Sequence, residues 1–154
     1  VRRRKPCAFA QAPDPILRRH RMYEGKRSEK FERGLATRRA VVGDTYVDNA
    51  LNSANEYNWP MQELVTEYCW DEIWNRPGLS RRDRSLLNLG MITALGRTAE
   101  LRAHVRGALN NGLTKVELRE VFLQAVIYCG VPAGIDSFRV AQDVMAEMAG
   151  ASTA

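Results

Sequence analysis

The chain is poor in the residues that most often carry redox, metal or disulfide chemistry, with three cysteines and two histidines in 154 residues. Cys7, Cys69 and Cys129 are odd in number, form no C-x-x-C pair and have no histidine at metal-ligand spacing. That excludes a disulfide framework and a zinc module and leaves them as reduced thiols. No stretch is apolar for long enough to span a bilayer. The basic start is not followed by a run of 7–15 apolar residues, so no secretory signal is expected; a twin-arginine address is not supported, and the expected location is the cytoplasm. Sustained period-2 alternation bounded by hairpin turns is missing too, which excludes a strand-based fold and leaves an all-α one.

What is present suits one globular domain. Hydrophobic residues make up 45% of the chain and charged residues 27%, enough to bury a core without staples. The net charge of +5 would suggest an acidic partner, but its location matters. Residues 1–21 hold seven cations (Arg2, Arg3, Arg4, Lys5, Arg18, Arg19 and Arg21) against Asp14, leaving 16 cations and 17 anions for the rest. A nucleic-acid surface displays its basic residues on a folded face, so no nucleic-acid partner is expected. With Pro6, Pro13 and Pro15 and no apolar periodicity, residues 1–21 read as a disordered basic extension, and residues 22–150 as the domain.

The breakers fall where helices should end. Gly43 closes a first helix; Tyr46, Val47, Ala50 and Leu51 mark a second; Met61 to Trp74 form a third, ended by Pro77-Gly78. Ser80 with Asp83 caps a fourth, whose Leu86, Leu87, Leu89, Met91, Ile92 and Leu95 cover most of its circumference and predict burial. Thr98 is the expected cap of a fifth helix carrying Leu101, Val105 and Ala108 and ending at Asn110-Asn111-Gly112. Thr114 and Glu117 form a capping box for a sixth, and a seventh follows Gly130 and Pro132.

Two polar stripes stand out. Arg97, Glu100 and His104 recur at i, i+3, i+7 on the fifth helix, beside its apolar stripe. Arg81, Arg84 and Asn88 repeat that spacing on the fourth, where a buried cation needs a carboxylate from protein or ligand. Spacing alone equally allows solvated ion pairs and helix-end charges. Tyr128 and Cys129 read as core residues, and Trp70 with Trp74 as packing.

Ordered stretches nevertheless resemble one family. Arg38-Arg39-Ala40-Val41-Val42-Gly43-Asp44, Ile73-Trp74-Asn75-Arg76-Pro77-Gly78-Leu79, Arg84-Ser85-Leu86, Glu100 to Arg106, Asn110-Asn111-Gly112 and Tyr128-Cys129-Gly130-Val131-Pro132 are similar to gamma-carboxymuconolactone decarboxylases. The resemblance spans roughly residues 23 to 148 and implies a compact alkylhydroperoxidase D-like fold of about six to seven helices. Redox relatives carry C-x-x-C-x-x-x-H where this chain reads Arg97 to His104; with Arg97 and Glu100 replacing both cysteines, thiol peroxidase chemistry is not expected.

The resemblance implies cofactor-free decarboxylation of gamma-carboxymuconolactone to beta-ketoadipate enol-lactone, in protocatechuate catabolism. Electrons released by C–C cleavage run into the lactone carbonyl, so the substrate is its own sink. His104 is the expected proton donor, with Glu100 orienting it and favouring its protonated form; Arg97, Arg84 and Arg81 are the expected carboxylate binders, and no metal is expected. The expected partners are a small anionic lactone and further copies of the chain, as trimer or hexamer, with no membrane. The rival readings are a decarboxylase of another lactone or keto acid, and a non-catalytic scaffold.

Overall fold

A computed structural model describes residues 27–151, so the expectation of a disordered 1–21 lies outside the described residues. These residues form seven α-helices and no strand. Helix α1 (Glu29–Val42) starts at Ser28, whose hydroxyl accepts the Phe31 N–H at 3.0 Å, and stops at Gly43 in a positive-φ conformation. Helix α2 (Asp44–Asn52) follows at once. Helix α3 (Trp59–Leu64) runs without a break into a π-helical segment, Val65–Ile73, marked by the Trp74 N–H bonding to the Cys69 carbonyl five residues back at 3.0 Å.

Helix α4 (Arg81–Ala94) is capped by Ser80 as expected, and α6 (Lys115–Cys129) by the complete Thr114/Glu117 box. Helix α5 (Thr98–Asn110) departs from expectation: Thr98 is its first helical residue, the cap is Arg97, and no side chain bonds there. Helix α7 (Val131–Ala151) closes the fold.

Helix α5 lies between two cores. Leu101, Val105 and Ala108 turn toward one, with Leu89 of α4, Phe122 of α6 and Val144 of α7. Ala103 turns toward the other, with Phe31 and Val41 of α1 and with Trp70 and Trp74. Gly107 keeps the second contact close, because a Cβ there would stand 2.9 Å from Val41 Cγ1. Asn110 adds a bond from its side-chain amide to the Val41 carbonyl at 2.8 Å.

Two burial expectations fail. Helix α4 is covered on one side only: Leu89 is fully buried, while Leu87, Met91 and Leu95 are 54%, 47% and 71% exposed. Tyr128 and Cys129 are surface residues and not core, because α6 presents its last turn outward. The open sides of α4 and α6 form an apolar groove of ≈ 720 Å³, lined by Leu87, Met91, Val121 and Tyr128 among others. No helix among the described residues is long and apolar enough to cross a membrane.

Candidate active site

His104 projects from α5 onto two tryptophans held by the π-helical segment and its end. Trp70 and Trp74 are 5% and 4% exposed and stack on each other with ring centroids 4.9 Å apart. Each also stacks on the imidazole at 6.3 Å, with interplanar angles of 9° and 24°. The pair packs as expected, in the second core, and forms the apolar wall against which the histidine rests. His104 Nδ1 is sealed from solvent and has no hydrogen-bond partner among the described residues.

Burial pushes the imidazole below its ordinary value of 6.5, and the negative charge of Glu100 opposes that without overcoming it. The expectation that Glu100 favours the protonated form thus gives only the direction of its own effect; desolvation outweighs it. Glu100 is exposed and no hydrogen bond joins it to His104, so an orienting role is not what this geometry shows.

The expected carboxylate-binding arginines scatter. Arg97 is exposed at the start of α5 and lines a small cleft with Thr93, Leu101 and Ser137, on the side of α7. Arg84 donates to the Arg76 carbonyl at 3.0 Å, and its buried Nε has no partner. Arg81 donates to the Thr37 hydroxyl at 3.4 Å. Neither Arg81 nor Arg84 meets a protein carboxylate among the described residues.

Arg81 instead ends a polar chain flanking Trp74. The Thr37 hydroxyl donates to the Asn75 side-chain oxygen at 2.9 Å, and the Asn75 amide donates to Asp71 at 3.2 Å. Arg33 grips the same carboxylate with Nε and Nη2 at 3.2 and 2.8 Å. That fork holds Asp71 below the usual carboxylate range. The buried Asp71 is in this way already matched by a cation.

Spacing arguments missed Arg38. It is 5% exposed on α1, and its Nη1 donates to the neutral oxygens of Gln62 (3.0 Å) and Thr66 (3.3 Å). Its Nε is buried without a partner. Burial lowers its proton affinity, with only partial compensation from Tyr46 and Cys69. Burial raises the Cys69 thiol, and the nearby Trp74 indole and Arg38 charge oppose that rise. A signal was available: Arg38 stands three residues after Leu35 and three before Val41, on the apolar face of its helix. No three His, Cys, Asp or Glu residues among those described are grouped to hold a metal ion.

A half-buried histidine on an aromatic wall, and a buried cation with no counter-anion among the described residues bonded to the segment that carries the wall, suit chemistry on a small carboxylate. The chain is 46% identical over 118 residues to a nitrosuccinic acid decarboxylase of Metarhizium robertsii, covering 77% of this chain and 82% of that protein. It is 38% identical over 120 residues to a 4-carboxymuconolactone decarboxylase of Acinetobacter baylyi, covering 78% and 90%. Residues 60–143 match the profile of the same family, so the chain belongs to the carboxymuconolactone decarboxylase family.

Proposed function

We propose that this decarboxylase acts on a small dicarboxylate whose departing carboxylate leaves its electrons in a conjugated acceptor, with gamma-carboxymuconolactone as the substrate and beta-ketoadipate enol-lactone as the product. The observation that carries the reading is His104, held on the Trp70/Trp74 wall with an unpartnered Nδ1, in a chain related to decarboxylases of two dicarboxylates. In the lactone, cleavage of the C–CO₂⁻ bond sends the electron pair through the ring double bond to the carbonyl oxygen. A proton then adds to the carbon alpha to that carbonyl. The likeness to the Metarhizium protein supports a second reading, nitrosuccinate, in which the nitro group receives the electrons and the proton returns to the carbon that lost CO₂.

His104 delivers that proton. It is held below its ordinary value in the free protein, and a dianion entering beside it raises its proton affinity, so the charge arrives with the substrate. Glu100 pulls in the same direction. Arg81, Arg84 and Arg97, none of them paired with a carboxylate among the described residues, draw the anion in by their charge. The departing carboxylate belongs against the tryptophan faces, because a tight cationic grip there would stabilise the ground state and slow its loss.

The protein works as a homo-oligomer, a trimer or hexamer, in the cytoplasm, within protocatechuate breakdown. The exposed apolar sides of α4 and α6 support the self-association. Ultraviolet absorbance of gamma-carboxymuconolactone generated in situ, and of nitrosuccinate, tests the activity. Wild type consumes one of them without additives, and His104→Ala is slower by about 10²–10⁴-fold, the range for a positioned acid or base. Loss of neither substrate above the blank refutes the reading.

A further inference from the structure

We propose that Arg38 is the anchor for the carboxylate that the substrate keeps, so that the site selects acids bearing a CH₂–COO⁻ arm on the carbon that loses CO₂. This rests on the decarboxylase reading above and identifies its substrate class. Both candidate substrates share that arm, although one is a lactone and the other a nitro acid; what varies is the electron acceptor.

Among the described residues, Arg38 is the buried charge left unmatched. Asp71, the buried carboxylate on the neighbouring π-helical segment, is bound in a fork by Arg33. Among the described residues, Arg38 meets the amide oxygen of Gln62 and the hydroxyl of Thr66, both neutral, and its Nε has no partner. A buried guanidinium without an anion is costly, and a carboxylate bonded to it makes hydrogen bonds roughly twice as strong as neutral ones. Gln62 is half-buried on α3 and is the partner that can give way. A carboxylate that displaces it from Nη1 restores charge balance. Thr66, which Arg38 bonds, lies four residues before Trp70 on the π-helical segment, and His104 stacks on Trp70, so an arm fixed at Arg38 brings the substrate to the tryptophan wall on which the imidazole rests.

The test uses the full 154-residue chain as wild type, Arg38→Met, Arg38→Lys and Gln62→Glu. Succinate is the binding probe, followed by tryptophan fluorescence, and KM and kcat are measured with whichever candidate substrate is turned over. Arg38→Met should weaken succinate binding and raise KM by about 10- to 100-fold, with a smaller change in kcat, the scale of one lost charged hydrogen-bond pair. Arg38→Lys should recover part of this. Gln62→Glu places a carboxylate beside Arg38, so it should melt higher than wild type and yet lose succinate; this arm decides the matter if Arg38→Met does not fold. A folded Arg38→Met with wild-type KM and succinate affinity overturns the anchor and leaves the decarboxylase reading standing, and so does Gln62→Glu that binds succinate normally. Wild type that binds succinate through Arg38 but turns over neither substrate upholds the anchor and overturns that reading.

Discussion

Gly34→Ala tests how the site is built. Gly34 lies on α1 where the π-helical segment crosses it, and a Cβ there would stand 2.0 Å from the Thr66 carbonyl oxygen, 3.0 Å from its carbon and 3.1 Å from the Asp71 nitrogen. All three are backbone atoms, so no side chain can swing aside. Ordinary contact begins near 3.4 Å, and the segment must retreat by about 1.4 Å. Overpacking of this kind costs about 1–3 kcal/mol. At about 4 °C per kcal/mol for a domain of this size, Tm should fall by roughly 4–12 °C. The displaced segment carries Thr66, Cys69 and Trp70, so decarboxylation should drop on the order of 10²-fold, the penalty for about 1 Å of misplacement. Circular-dichroism melts and initial rates check both, with Gly150→Ala as control, since a Cβ there meets nothing within 4 Å. Gly34→Ala that melts and reacts like wild type would refute the close crossing and, with it, the rigid placement of Trp70.

Two further predictions concern pH and assembly. Because His104 is held below 6.5, the unfolded chain binds a proton that the folded one refuses; stability is therefore full above about pH 6.5 and falls as pH drops toward the depressed folded value. Urea midpoints at about pH 7.5 and 5.5 should differ less in His104→Gln than in wild type, and an equal difference would count against the buried neutral imidazole. Leu87→Asp combined with Ile127→Asp, at positions 54% and 78% exposed, should reduce the particle mass seen by light scattering while helicity is kept. An unchanged mass would remove α4 and α6 from the assembly surface.

The helices were legible because local rules decide them. Ser80 and Thr114 cap where their hydroxyls meet a free N–H three residues on, and Gly43 and Gly130 end helices in backbone conformations that suit glycine. Thr98 failed as a cap because the chain enters α5 through Arg97, a choice made by the Gly96 turn rather than by side-chain chemistry. The exposed half of α4 misled because hydrophobicity signals that a face seeks cover, not that this chain supplies it. At the site, His104 was visible from its own stripe. Arg38 and the tryptophans lie 30 to 66 residues before it in sequence, and α1 and the π-helical segment bring them to one core, which no spacing rule on one helix can reveal.

The π-helical segment also makes chemistry depend on chain register. Its wider hydrogen-bonded loop absorbs a residue that an α-helix would have to expel, and Trp74 takes its angular position from that surplus. Deleting one residue between Trp70 and Trp74 would close that loop and restore the ordinary pitch, changing the angle between the two indoles that stack on the imidazole while the helix stayed whole. A single codon lost or gained in this stretch is then an edit to the surroundings of His104 and not to the scaffold.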